Sequence, residues 1–221
     1  TAFVMGRGHE SWHTNPEFFY EVGGGPMFDM GPYYLTALLN LMGPVKRVCA
    51  LASIAIPERI ITSEPKYGKR IQVETPDHIC GTIEFENGAV GTIIATFATR
   101  HGISDAGYPL TVYGEDGTLR VPDPNSFDGP VQVCCAADED WREVPHAFPT
   151  GYGRSVGLAD MAYAVRSGRP FRANGEQAFA VLDIMQGFLD SSNTGKAQVP
   201  VSRYERPAPM PRDLPFGVLE S

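Results

Sequence analysis

Apolar residues in this chain fall into short β-type runs in the middle and helical stripes towards the two ends. Ala2-Phe3-Val4-Met5 reads as a strand, and a polar stretch, Gly6 to Asn15, follows it. Leu35, Leu38, Leu39 and Met42 recur at i, i+3, i+4 and i+7 until Gly43-Pro44, which predicts a helix of about three turns starting at Pro32. Pro32 is expected in its first turn, where the missing N–H has no helical partner to lose. Val45 to Ile56 predicts a long strand, and a loop containing Pro and Lys comes next. His78 to Glu86 and Ala89 to Thr99 flank Asn87-Gly88, a pair that tolerates positive φ, so an antiparallel hairpin is predicted. Leu110 to Tyr113 with Thr118 to Val121 predicts a second hairpin, and Val131 to Ala136 with Trp141 to Val144 a third. Two helical stripes close the pattern. One is Leu158, Met161, Ala162 and Val165 before Gly168, and the other is Ala178, Val181, Leu182, Met185 and Leu189 before Gly195. Asn174 and Gln177 have the spacing of a capping box for the latter, and Arg203 to Ser221 reads as an extended tail.

Consecutive hairpins with helices at both ends predict an α+β fold, an open and mainly antiparallel sheet with helices packed on one face. Residues such as Ile83, Phe85, Ile93 and Phe97 are candidates for the uncovered face. If they lie there, a second copy is expected to cover them, giving a homodimer or homotetramer.

The length, 221 residues, suits one domain with a substantial core. A formal charge of -8 with no run of Lys or Arg gives nucleic acid no electrostatic footprint. No apolar run is long enough to span a membrane and the first residues lack signal-peptide zones, so a cytoplasmic location is expected. Cys49 and Cys80 stand alone and Cys134-Cys135 are adjacent, a spacing that fits neither a metal knuckle nor a disulfide framework. They are expected as small buried residues in strands.

Candidate chemistry gathers near Gly23-Gly24-Gly25. These glycines bring Asp29 and Tyr33, a carboxylate and a phenol at i and i+4, to the mouth of a helix, where the pair can bind and protonate a hydroxylated substrate. Alternatively Asp29 caps the helix and Tyr33 packs. Trp12 and His13 either line a polar pocket suited to sugar-like ligands or belong to an exposed loop. Arg154, after Gly151-Tyr152-Gly153, is either a ligand contact or a solvated helix start. His9-Glu10-Ser11-Trp12-His13 spells the zinc-hydrolase motif H-E-x-x-H, but Gly8 and Pro16 leave too little room for the helix that motif needs, so no metal site is assigned. No Gly-x-Gly-x-x-Gly opens a helix and no phosphate loop is present, so a nicotinamide cofactor has to be held mainly elsewhere.

Taken in order, Gly-Gly-Gly-x-x-x-Asp29-x-Gly31-x-Tyr33, Leu110-Thr111-Val112-Tyr113-Gly114-x-x-Gly117-Thr118-Leu119, and Gly157-Leu158-Ala159-Asp160-Met161-Ala162 with Gly168-Arg169-Pro170 resemble the C-terminal domain of the glucose-fructose oxidoreductase, inositol dehydrogenase and MocA family. The resemblance implies an N-terminal Rossmann domain, absent from this sequence, that binds NAD or NADP and carries a catalytic lysine in Glu-Lys-Pro. It also implies a C-terminal domain, residues 1–221 here, that binds a sugar or polyol and oligomerises. These residues alone are then expected to be inactive. Where the family commonly has Asp-x-x-x-His, with the histidine as acid/base, this chain has Asp29 and Tyr33, and Thr36 replaces a common aspartate. The resemblance implies Tyr33 as the acid/base and is closer to the branch that uses tyrosine. A non-catalytic, dinucleotide-binding regulator of the same fold is the competing implication.

Overall fold

Asn87-Gly88 forms the predicted turn, with Gly88 at φ +87°. It joins β5 (His78–Phe85) to β6 (Val90–Thr96) in antiparallel register, His78 opposite Thr96 and Glu84 opposite Val90. The computed structural model describes residues 1–100 and 108–219. The remaining elements of the main sheet are β1 (Ala2–Met5), β2 (Val45–Ser53), β7 (Leu110–Tyr113), β8 (Gly117–Val121), β9 (Val131–Cys135) and β10 (Arg142–Val144). These eight strands run in the order β10-β9-β8-β7-β1-β6-β5-β2. Neighbours are antiparallel except β1 and β6, which are parallel, with Ala2 opposite Ile93. The fold is α+β and the sheet stays open, as the hairpins predict.

Helices α1 (Pro26–Met42) and α3 (Gly175–Thr194) cover one face. Leu35, Leu38 and Leu39 from α1 and Val181, Ile184 and Phe188 from α3 are buried against Ile79, Ile83, Phe85 and Ile93. Each such side chain contributes about 1.5–3 kcal/mol of hydrophobic stabilisation. Gly81 permits the closest approach, because a Cβ there would lie 2.6 Å from the Phe188 ring. Ile83, Phe85 and Ile93 therefore lie under the helices, and Phe97 is buried in a separate cluster, so none of them is on the open face. That face instead shows Leu51 and Val90, 78% and 74% exposed, with exposed Cys49 and Cys80. Alternation along β2 and β5 puts Val48, Ile79 and Ile83 inside and the two thiols outside, contrary to the expectation of buried cysteines.

The helix at residues 26–42 starts earlier than its apolar stripe suggests. Pro26 occupies the first turn, after Gly25 at φ +89°, while Pro32 lies in the interior. Pro32 has no N–H, so the carbonyl of Phe28 gains no helical bond from it. Flanking turns packed on the sheet carry the helix through that defect.

Helix α2 (Val156–Ser167) forms where predicted but turns the opposite way. Leu158 and Val165 are 70% and 74% exposed, and the buried side chains are Asp160 and Ala164. Asp160 accepts from Arg169 Nη2 at 2.8 Å and from the Arg172 N–H at 2.8 Å, and it also pairs with Arg172 Nη1. Ion pairs rather than apolar burial fix this helix. In α3 the Asn174 side chain accepts from Gln177 N at 2.8 Å, but the Gln177 amide bonds Asn40 and Tyr204, so only half of a capping box forms. Residues 203–219 carry no helix or strand, in line with a tail; the last two residues lie outside the described set.

The loop between β2 and β5 holds a pair of short strands, β3 (Glu58–Ile60) and β4 (Arg70–Gln72), that the sequence did not predict. With Tyr20, Ile61, Ile71, Val73 and Phe97 they form a second core beside the mouth of α1. Among the described residues no helix is long and apolar enough to cross a membrane.

Candidate functional site

The glycine run enters α1 through tight backbone. Gly25 N donates to the Phe19 carbonyl at 2.7 Å, and a Cβ on Gly25 would lie 2.8 Å from the Pro76 carbonyl, so this position needs glycine twice over. The first turn then presents Asp29. Its carboxylate does not cap the helix: the N-cap is Gly25, with no side-chain bond. Asp29 Oδ2 instead lies 3.2 Å from His9 Nε2.

His9 is held from every side. Its ring stacks on Phe19 at 3.7 Å between centroids and meets Phe97 edge-on at 4.6 Å. Its backbone N–H donates to the Tyr20 hydroxyl at 2.8 Å, and that hydroxyl donates to Glu10. Burial, and then the bond to Glu10, push the Tyr20 phenol well above its ordinary range, so it stays protonated as a donor. Arg59 completes the chain, with Nη1 3.0 Å from Glu10 Oε1 and Nη2 2.7 Å from Asp77 Oδ2. Because Nε2 of His9 faces a carboxylate it acts as the donor, and Nδ1 is left buried without a hydrogen-bond partner.

The residues of the zinc motif have other partners here. His9 to Ser11 is a single 3₁₀ turn, Glu10 is tied to Arg59 and Tyr20, and His13 Nδ1 accepts from Asn15 N at 3.0 Å. Among the described residues no group of three or more His, Cys, Asp or Glu could hold a metal ion.

Trp12 and His13 join Asp29 through His9. Trp12, 63% exposed, lies 5.1 Å from the His9 ring and 5.3 Å from the His13 ring. Arg154 joins Tyr33: its Nη1 donates to the phenolic oxygen at 3.1 Å. Its Nη2 donates to Asn125 Oδ1 at 3.0 Å, and its Cζ stands 4.7 Å from the Phe127 ring. The expected residues thus form two groups on successive turns of α1, and no hydrogen bond links Asp29 to Tyr33 among the described residues.

The loop bearing Asn125 and Phe127 is tied to α1 by the neighbouring tyrosine. Tyr34 OH donates to Asp123 Oδ1 at 2.8 Å, and burial followed by this bond raises the Tyr34 phenol far above its ordinary range. Phe127 has φ +61°, uncommon for a bulky residue, and its ring meets Tyr33 edge-on at 6.3 Å. Phe127 also lines a cavity of about 470 Å³ with Ala37, His146, Phe148, Tyr152 and Val156. Sequence reasoning missed His9 as the partner of Asp29, and Asn125 and Phe127 altogether. Each joins its group through a contact that local spacing does not encode, His9 on Asp29, Asn125 on Arg154 and Phe127 beside Tyr33.

The sequence profile described as GFO/IDH/MocA C-terminal domain matches residues 2–120, which include both Asp29 and Tyr33. The chain belongs to the GFO/IDH/MocA family. Solved structures of similar fold cover most of it. A levoglucosan dehydrogenase in complex with NADH and levoglucosan is 18% identical with TM-score 0.71, over 91% of this chain and 58% of that one. An aldose-aldose oxidoreductase from Caulobacter crescentus complexed with glycerol is 18% identical with TM-score 0.64, over 90% and 55%. An NAD binding oxidoreductase from Klebsiella pneumoniae is 16% identical with TM-score 0.70, over 91% and 58%. The chain therefore spans less than two thirds of the length of these family structures. No curated protein matches it.

Proposed function

We propose that this chain is the substrate-binding and oligomerisation domain of an NAD(P)-dependent oxidoreductase acting on a hydroxyl of a sugar or polyol, with Tyr33 as the acid/base. The observation that carries this reading is the Tyr33 hydroxyl itself. Arg154 donates to its oxygen, so the phenolic proton is free to engage a substrate oxygen in front of α1. Asp29, steadied by His9, supplies an acceptor one turn away for a neighbouring hydroxyl, and Trp12 offers an exposed ring on which a sugar face can stack.

The cofactor, when bound, supplies the two-electron acceptor or donor. After β1, in the single parallel pair among the described strands, Gly6-Arg7-Gly8 leads into one 3₁₀ turn rather than an α-helix, unlike the strand-to-helix turn on which a dinucleotide pyrophosphate sits. In this reading another domain holds the cofactor, and this chain on its own is expected to be inactive. Family membership supports the reading, as do the NADH and sugar ligands named for structures of the same fold.

Replacing Tyr33 by Phe in the full-length protein removes only the hydroxyl. Steady-state kinetics should show kcat lower by about 10²–10⁴-fold with KM little changed. Turnover that survives the change intact removes Tyr33 as acid/base.

A further inference from the structure

Arg154 sits on an exposed turn just before α2, yet its guanidinium is seated by neutral groups alone: the Tyr33 hydroxyl at 3.1 Å, Asn125 Oδ1 at 3.0 Å, and the rings of Phe127 and Tyr33 at 4.7 and 5.4 Å. Among the described residues no carboxylate lies within 4.0 Å of it. Arg47, Arg59, Arg70, Arg142 and Arg172 each meet one, whereas Arg120, like Arg154, is seated by neutral groups, Gln132, Tyr108 and Trp141, but among the described residues is not bonded to the Asp29 and Tyr33 turns of α1. The acids nearest in the loop are committed elsewhere. Asp123 Oδ1 accepts from Tyr34 and from Asn125 N, and Asp128 accepts from Gly129 N and Gly151 N. The first turn of α2 adds no acidic residue.

A guanidinium carries five N–H donors, and only one on each Nη is used here, which leaves the rest for a ligand. Neutral acceptors and aromatic faces fix a long side chain in place without cancelling its charge, so an anion arriving there meets a charge already oriented. A planar carboxylate matches the fork of a guanidinium, whereas a phosphate dianion calls for more positive charge than the single cation present. Arg154 Nη1 and the Tyr33 hydroxyl are 3.1 Å apart, so a carboxylate on one and a hydroxyl on the other are held at a comparably short separation. That is the separation found in a 2- or 3-hydroxy acid.

We infer that the substrate is a sugar acid, its carboxylate held by Arg154 and its neighbouring 2- or 3-hydroxyl held by Tyr33. This rests on the function proposed above and narrows it. In the oxidative direction the carbinol C–H bond breaks and its electron pair leaves to the nicotinamide. The O–H proton passes to the Tyr33 oxygen as the phenolic proton leaves to solvent water, and the C=O bond forms. The product is a keto acid whose carboxylate is unchanged.

The test is calorimetric binding to the full-length protein of an aldonate and of the alditol with the same carbon skeleton. The aldonate should bind at least about tenfold more tightly, and Arg154→Gln should abolish that preference, while Arg154→Lys, which keeps charge without the fork, should retain part of it. Circular dichroism of the variants confirms that the fold persists, as expected for an exposed position. Failure of the aldonate to bind, equal binding of the two compounds, or a preference that survives Arg154→Gln overturns the inference. Binding requires no turnover, so those results count against the carboxylate alone, whereas full activity in Tyr33→Phe counts against the acid/base reading.

Discussion

His9 Nε2 stands 3.2 Å from Asp29 Oδ2, so a loop imidazole, not the N–H groups of α1, holds the carboxylate at the helix mouth. The imidazole is in turn fixed by Phe19 and Phe97, with the His9 backbone N–H tied to the Tyr20 hydroxyl, and a carboxylate held this way keeps one oxygen lobe for a ligand.

His9→Leu removes the donor from Asp29 while leaving apolar volume against Phe19. In the full-length protein KM for substrate should rise about tenfold with a smaller fall in kcat, since one charge-assisted hydrogen bond of roughly 1.5 kcal/mol is lost in positioning. His9→Gln, which restores a donor, should recover most of the loss. Equal KM values for His9→Leu and wild type would show that His9 only fills space.

Among the described residues Arg59 is the one cation that pairs with Asp77, whose side chain is fully buried. Burial works against the charge on Arg59, but the bonds to Asp77 and Glu10 and the nearby Tyr20 outweigh it and hold the group firmly protonated. Arg59→Met strands that carboxylate and should destabilise the chain by about 3–5 kcal/mol, read as a lower urea midpoint. The loop carrying His9 should loosen with it, because Glu10 loses the same partner.

Asp160 gives a pH signature. Burial alone would raise its carboxyl, but Arg169 and Arg172 outweigh that and hold it below the ordinary aspartate range. The folded-state pKa lies below the unfolded one, so this stabilisation is complete above the unfolded value of about 3.9 and is lost as pH falls through the folded value. Urea melts of Asp160→Asn should therefore show a deficit at neutral pH that narrows as pH drops below about 4. A deficit independent of pH would mean that shape, not charge, matters at this position.

The open sheet face sets Leu51 opposite Cys80, and Cys80 opposite Ile94, across three adjoining strands. We propose this row as the contact between copies in a homodimer or homotetramer. Light scattering of the full-length protein should report a dimer or larger, and Leu51→Arg should shift it towards monomer. A wild-type monomer at micromolar concentration would refute the proposed contact.

Legibility in the sequence followed the range of the interactions. The hairpin at Asn87-Gly88 was readable because the positive φ of Gly88 is a local demand that the residue type itself meets. The α1 stripe was readable from Leu35 onward, but its first turn is set by Gly25 lying close against the Pro76 carbonyl, a contact across chain segments. β3 and β4 are too short to show periodicity, and Arg59 of β3 is anchored by Asp77, a partner distant in sequence. In α2 the periodic Leu158, Met161 and Val165 announced a helix correctly but not its facing, which Asp160 decides through arginines beyond the helix end. The site divides in the same way. Asp29 and Tyr33 share a helix face and could be read together, while His9, Asn125, Phe127 and Arg154 arrive from three separate segments.

Tyr33 and Tyr34 are chain neighbours that begin and end one closed circuit. Tyr34 anchors Asp123, the following residues carry Asn125, Asn125 seats Arg154, and Arg154 returns to Tyr33. Lineages that diversify their choice of ligand by lengthening or trimming the segment after Asp123 would have to find a new seat for the guanidinium, or surrender it along with the loop.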